Sequence, residues 1–280
     1  MADTQQLIDI GHTRVAHTQT GTGPDVLFIH GWPLHGGTWR NIVPELDGFR
    51  CHVIDLPGAG GSKATPDTPL NIEGMVASIG AVIDHLNLSS CSLVSHDSGA
   101  MFARMVARSR PEQVNGLVLS GTEIPGHKSW QVVLFGLLAR LPAAGNIFEL
   151  LVGNDVLVKS PLVLGGCFAD TDHIRGDFAD ILGALFADDA LMDSALEVLK
   201  NFDHDVVDGL ALVHAELSMP SLLIWGEEDP FFPLEKARAM ASQFGGETRF
   251  ETVANAKLFV HEEHPARYGR LTREFLLSIA

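Results

Sequence analysis

Positive charge is scarce in this chain. Its 280 residues hold 19 Lys and Arg against 35 Asp and Glu, a formal net charge of -16. That balance argues against nucleic acid or an anionic membrane surface as partner, because both need a basic patch. Cysteine is scarce as well. Cys51, Cys91 and Cys167 are odd in number and widely spaced, with no C-x-x-C pair, so neither a disulfide framework nor a cysteine metal site is expected. Cys51 and Cys91 begin apolar runs and are expected in the core. No apolar run approaches the ~20 residues that a membrane span needs. The first residues, Met-Ala-Asp-Thr-Gln-Gln, show neither a basic region nor an apolar stretch, so no signal peptide is expected and the expected compartment is the cytoplasm. Repeats and low-complexity tracts are missing too, and no metal or cofactor is expected.

What is present is apolar: 46% of residues, with 19% charged, enough for a substantial core. The length suits one core carrying an inserted subdomain. Alternating segments at 7–10 and 14–19 come first, closed by the turn signal Gly21-Thr22-Gly23-Pro24. Strand-like apolar runs follow at 26–29, 51–54, 92–95, 114–120, 221–225 and 249–253. Helical patterns separate them at 38–46, 70–86 (Asn71 a candidate cap), 100–108 and 266–277. Nearly all-apolar strands alternating with helices indicate a parallel α/β sheet. Between 123 and 212 no buried-strand run stands out and helical patterns dominate, at 132–141, 178–186 and 190–202. The chain is therefore expected to divide into a core segment 1–124, a helical cap 125–214 and a second core segment 215–280. From 125 to 210 the cap carries thirteen acidic and five basic residues, half of the net charge, which reads as a solvated outer face.

One stretch joins a strand directly to a helix: Leu93-Val94-Ser95-His96-Asp97-Ser98-Gly99-Ala100. Small residues lie two before and two after Asp97, the spacing of a nucleophile elbow, in which a strained turn pushes the middle side chain out of the sheet. Asp is also a favoured helix N-cap, and this stretch alone leaves the two readings level.

Three further stretches weigh for the elbow. They are His30-Gly31-Trp32-Pro33 after one strand, Asp55-Leu56-Pro57-Gly58-x-Gly60-x-Ser62 after the next, and Trp225-Gly226-Glu227-Glu228-Asp229-Pro230-x-x-Pro233 after a late one. With the elbow, in this order, the chain resembles the α/β-hydrolase superfamily and, within it, the aspartate-nucleophile branch of haloalkane dehalogenases and epoxide hydrolases. The resemblance covers both core segments, about two thirds of the chain. It implies an α/β-hydrolase fold, a mostly parallel sheet flanked by helices with an inserted helical cap. It also implies Asp97 as nucleophile, Asp229 as the acid of the triad, and His30, Gly31, Trp32 and Pro33 as the oxyanion loop.

An ordinary carboxylate is ionised at neutral pH and needs no base to attack a saturated carbon. Displacing a halide or opening an epoxide would leave an ester on Asp97. The backbone N–H groups of Ser98 and Trp32 are the expected oxyanion donors for its hydrolysis. The family's water-activating histidine stands in Gly-His-x-x-x-x-Glu-x-Pro. Here Glu263 and Pro265 fix the register, and Leu258 occupies the histidine position. His261 and His264 are expected to be exposed at the start of the last helix. A lost general base costs typically 10²–10⁴-fold, here in the hydrolytic half-reaction.

The subclass signatures are incomplete. Ser98 stands where many dehalogenases place a Trp, and Tyr268, the only tyrosine, lies outside the cap. The Trp32 indole N–H is a candidate halide donor, and His127, Lys128 and Trp130 are candidate cap donors. Phe135, Leu138, Phe148 and Phe168 suggest an apolar pocket. The expected ligand is a small apolar organic substrate; a homodimer is allowed by the sequence rather than required. Epoxide hydrolysis, ester hydrolysis and ligand binding without turnover stand as alternatives.

Overall fold

The computed structural model describes residues 5–280. Eight strands, β1 Gln6–Asp9, β2 Arg14–Gly21, β3 Asp25–Ile29, β4 Arg50–Ile54, β5 Cys91–His96, β6 Val114–Ser120, β7 Ser221–Gly226 and β8 Thr248–Val253, form one sheet in the order β1-β2-β4-β3-β5-β6-β7-β8. β2 runs antiparallel to both β1 and β4, and every other pairing is parallel. This is the mostly parallel sheet expected from the continuous apolar runs, and β5 and β7 are buried along their whole length.

Strand alternation sorts the side chains into two cores. Leu27, Leu93, Leu117 and Leu223 face one side, where they meet helices α1 Ile72–His85 and α2 Asp97–Ser109. Phe28, Val94, Val118 and Leu222 face the other, against Trp39, Tyr268 and Phe275. α1 begins where expected: the Asn71 side chain accepts the Gly74 N–H at 2.9 Å, and Met75, Ile79, Val82 and Ile83 recur on the buried face.

The helix expected at 38–46 does not form. Two 3₁₀ turns, Gly36–Trp39 and Val43–Glu45, replace it, because Pro44 cannot donate the hydrogen bond a continuing helix needs.

Between β6 and β7 lie only helices: α3 Trp130–Leu138, α4 Ala144–Gly153, α5 Asp177–Gly183, α6 Asp189–Lys200 and α7 His204–Glu216. The expected boundary at 214 falls inside α7. That helix packs on α2 through the fully buried Arg104, which donates to Ala100 O, Glu123 O, Thr122 Oγ1 and His214 Nε2. α7 therefore closes the core layer. The outer helices have a separate core of Ala144, Phe148, Leu191 and Leu196, with Trp32 packed against it. α8 Leu234–Ala241, the single turn α9 Val260–Glu263 and α10 Pro265–Ile279 complete the chain. Among the described residues no helix is long and apolar enough to cross a membrane.

Candidate active site

Asp97 stands at the junction of β5 and α2 with φ +50°, a left-handed conformation rare for a residue with a side chain. Such a conformation costs about 1–3 kcal/mol and persists only where its surroundings enforce it. A plain N-cap would have an extended backbone; here that conformation belongs to His96, and Asp97 is already the first helical residue. The close approach behind the turn explains Gly99, since a Cβ there would lie 2.2 Å from His30 O.

The loop after β3 wraps over this apex. Trp32 N–H donates to Asp97 Oδ2 at 3.0 Å and to Ser98 Oγ at 3.0 Å, and the Ser98 backbone N–H also bonds the Asp97 carboxyl. Gly31 can only be glycine, because a Cβ would come 2.6 Å from Asp97 Oδ2. His30 fixes the loop from below: its Nε2 accepts Leu56 N–H at 2.8 Å, and its Nδ1 lies 2.9 Å from Gly31 O. The Trp32–Pro33 peptide bond is cis. Both expected oxyanion donors thus converge on Asp97 itself. That is where an ester on Asp97 needs them, since the oxyanion formed by water attack would be an Asp97 oxygen.

The Asp97 side chain is half-buried at the apex. Burial, then the Glu123 charge, push its carboxyl up to about 8, against the pull of the Ser98 and Trp32 N–H groups. Sequence gave no sign of Glu123 as a neighbour, although it follows the carboxyl end of β6, where site residues of parallel sheets gather.

Asp229 follows β7 and is buried. Its Oδ1 accepts Phe231 N–H at 2.8 Å and Phe232 N–H at 3.0 Å, while among the described residues its Oδ2 has no hydrogen-bond partner. Burial pushes it up to about 7. A Cβ built on Gly121 would lie 2.9 Å from Leu258 Cδ1 and 3.6 Å from Asp229 Oδ2, so both side chains reach the surroundings of Gly121. The buried Cys167 thiol is pushed well above its usual range, by burial first and then by the charges of Asp229 and Asp97. Folded Asp229 keeps a proton that the unfolded chain releases above pH ~4, so its contribution to stability declines as pH climbs from there to about 7. Asp229→Asn should therefore gain stability over the wild type across that interval, by a few kcal/mol at the plateau. Urea melts at pH 4.5 and 7.5 check this; equal differences at the two values would refute it.

Other expectations are corrected by packing. The Trp32 indole N–H donates to Ala195 O in α6 at 2.9 Å, and its ring packs on Phe135 and Phe148, so it ties the loop after β3 to the helices between β6 and β7 and is not free to bind a leaving group. Trp130 is 55% exposed and, with Val133 and Leu137, lies on the outer stripe of α3. His127 is engaged by Phe231 O and Lys236. Phe168 is core, against Phe178 and Phe259. His261 is fully buried, and His264 is half-buried with Nε2 2.9 Å from Asn255 O. The turn of α9 folds this segment inward, which helix periodicity could not reveal.

A cavity of about 40 Å³ opens beside the elbow, room for a few waters or a short alkyl group. Leu56, Met75 and Phe102 wall it on one side, and Leu185, Leu191 and Val198, from the segment between β6 and β7, on the other. Ser98 lines it, and Asp97 is not among its lining residues. His35, passed over in the sequence, also lines it. Its Nδ1 accepts Gly37 N–H at 3.1 Å.

Comparison with known proteins bears on the fold. Residues 24–148 match the family model described as alpha/beta hydrolase fold. The pimeloyl-[acyl-carrier protein] methyl ester esterase of Methylococcus capsulatus is 30% identical over 272 residues, covering 92% of this chain and 97% of the relative. Haloalkane dehalogenase 2 of Mycobacterium tuberculosis is 26% identical over 265 residues, covering 92% and 90%. The crystal structure of haloalkane dehalogenase DbeA from Bradyrhizobium elkani superposes with a TM-score of 0.83 at 24% identity, over 99% of this chain and 98% of that one. The strand order and these relatives agree: the chain belongs to the α/β-hydrolase fold family.

Proposed function

We propose that this hydrolase-family chain uses Asp97 to attack a saturated carbon of a small apolar substrate, in the manner of a haloalkane dehalogenase, and that release of the product is impaired. The observation that carries the reading is the carboxyl of Asp97 at the apex of the elbow, with Trp32 N–H 3.0 Å from Oδ2. A carboxylate oxygen forms the new C–O bond, the carbon–halogen bond breaks, and the halide leaves with the electron pair. Water must then attack the ester carbonyl, and the two N–H groups on Asp97 stabilise the resulting oxyanion. Leu258 offers no base for that water.

Halide departure needs no proton, whereas an opening epoxide does. Tyr268 cannot supply one to the cavity, because its hydroxyl lies in the core 3.3 Å from Ser120 Oγ. This favours the haloalkane over the epoxide. Ester hydrolysis, the activity named for the Methylococcus relative, is less well served: Ser98 sits one residue past the apex and no imidazole bonds its hydroxyl. The unpartnered Oδ2 of Asp229 favours a second reading, a homologue that binds its ligand without turnover.

A small primary bromoalkane tests the proposal. One bromide per chain should be released in a burst, followed by a stall. The burst rate should rise with pH as Asp97 ionises, with a midpoint near the value of about 8 that its surroundings impose. Saturable, reversible binding with no bromide release would support the second reading instead.

A further inference from the structure

Helix α6 supplies one wall of the cavity beside the elbow. Leu191, Ala195 and Val198 line that cavity, and their spacing of four and three places them on one face of the helix. The room of about 40 Å³ therefore depends on where α6 rests. Its seat on the loop after β4 is close: a Cβ built on Gly58 would lie 2.6 Å from Ser194 Cβ.

Few polar contacts hold α6 to the loops that leave β3 and β4. Lys63 Nζ reaches Asp188 at 3.5 Å and Asn201 reaches Leu70 O at 3.4 Å. Both contacts are long and exposed, and both lie just beyond the ends of the helix. The third is short and falls at mid-helix: the Trp32 indole N–H donates to Ala195 O at 2.9 Å.

Trp32 is itself anchored. Its backbone N–H donates to Asp97 Oδ2 and Ser98 Oγ, and the Gly31 N–H before it donates to His96 Nε2 at 3.1 Å. Its ring packs on Phe135 of α3 and Phe148 of α4, with centroids 6.0 Å away in each case. The residue thus cannot follow α6 outward without loosening its hold on Asp97.

We infer that Trp32 is a specificity-determining residue: its indole N–H latches α6 over the cavity and restricts the substrate to a short, uncharged alkyl chain. The substrate half of this inference rests on the alkylation reading given above; the latch rests on the contacts alone. A longer chain has to lift α6, which breaks the bond to Ala195 O. One such bond corresponds to about tenfold in the ratio of open to closed forms. Charge is excluded on a separate ground. Among the described residues no Asp, Glu, Lys or Arg lines the cavity, so the carboxylate of a halo-acid would be buried there without a partner.

Trp32→Phe deletes the latch and leaves an aromatic ring to pack on Phe135 and Phe148. In hydrogen exchange of the full-length chain, read by mass spectrometry, the α6 amides of the variant should exchange about tenfold faster, with β5 unchanged. Equal α6 exchange in the two proteins would overturn the latch. Specificity is read as the ratio of burst rates for n-hexyl and n-propyl bromide, which should rise about tenfold in Trp32→Phe. Val198→Ala widens the same wall with the latch in place, so it should raise this ratio while α6 exchange stays within about twofold of the wild type. A ratio that rises in neither variant would overturn α6 as the limiting wall, and a rise in Val198→Ala alone would overturn the role of Trp32. If the wild type gives no burst with either bromide, the alkylation reading fails. Calorimetric titration with n-hexanol and n-propanol then decides the specificity: Trp32→Phe should shift their relative affinity about tenfold toward hexanol, and no shift would overturn it. Should Trp32→Phe not fold, the wild-type indole decides. Its N–H should be as protected from exchange as the α6 amides, and an indole released far more readily than α6 would overturn the latch.

Discussion

Leu258→His is expected to turn a single burst of halide release into sustained turnover. The leucine side chain is buried, and both it and the carboxylate oxygen of Asp229 that has no partner among the described residues lie near Gly121. An imidazole of similar bulk would donate Nδ1–H to that oxygen and present Nε2 to a water near the Asp97 ester. Restoring a general base is worth ~10²–10⁴-fold, and the gain should appear in the hydrolytic step, with the first turnover left at a similar rate. Stopped-flow halide detection separates the two steps. The same variant defines the role of Asp229. In the parent chain Asp229 has no imidazole to orient, so Asp229→Asn should leave the burst intact. In the Leu258→His background the same change should remove most of the gained turnover. A Leu258→His chain that still stalls after one equivalent would place the defect elsewhere.

Asp97→Asn is expected to abolish the burst altogether while making the protein more stable at alkaline pH. The amide is a far poorer nucleophile than a carboxylate, and no neighbouring group replaces it; Ser98, the adjacent hydroxyl, is occupied by Trp32 N–H and by Asp97 itself. For stability the sign follows from the raised carboxyl. Folded Asp97 keeps its proton to about pH 8, whereas the unfolded chain releases it near 4, so the wild type loses stability steadily over that interval. Asparagine does not titrate, and its Oδ1 can still accept Trp32 N–H. The advantage of the variant should therefore be small at pH 4.5 and reach a few kcal/mol at pH 9. Denaturant melts at the two pH values measure it. A variant less stable than the wild type at pH 9 would show that the carboxylate is favourably solvated in the fold.

The sheet was readable because its central strands are buried on both faces, which forces unbroken apolar runs such as Val26-Leu27-Phe28-Ile29 and Ser221-Leu222-Leu223-Ile224-Trp225. The elbow was readable because the turn at Asp97 admits only small neighbours. Shorter helices carried weaker signals. α8 buries only Ala237 and Met240 in eight residues, and α4 begins after Pro142 at a left-handed Ala143 with Gly145 and Asn146 in its first turn, so its sequence resembles a loop. Burial against α6 and its neighbours, not local propensity, makes it helical. In the site, residue types were legible and environments were not. The ionisation of Asp97 depends on burial and on Glu123, 26 positions away. The loss of the Trp32 indole to Ala195 depends on where the cap docks. His261 looked exposed because nothing in the sequence marks the turn that folds it beneath Trp39.

Alkylation of Asp97 without release is the centre of the account, and mass spectrometry tests it most directly. The protein is incubated with a small primary bromoalkane at pH 8.5, freed of reagent, and followed by intact mass and peptide mapping over hours. The account predicts one alkyl increment per chain, located on Asp97, persisting in the parent and disappearing within the dead time in Leu258→His. No increment, or an increment carried by a cysteine or histidine while Asp97 stays unmodified, would contradict it.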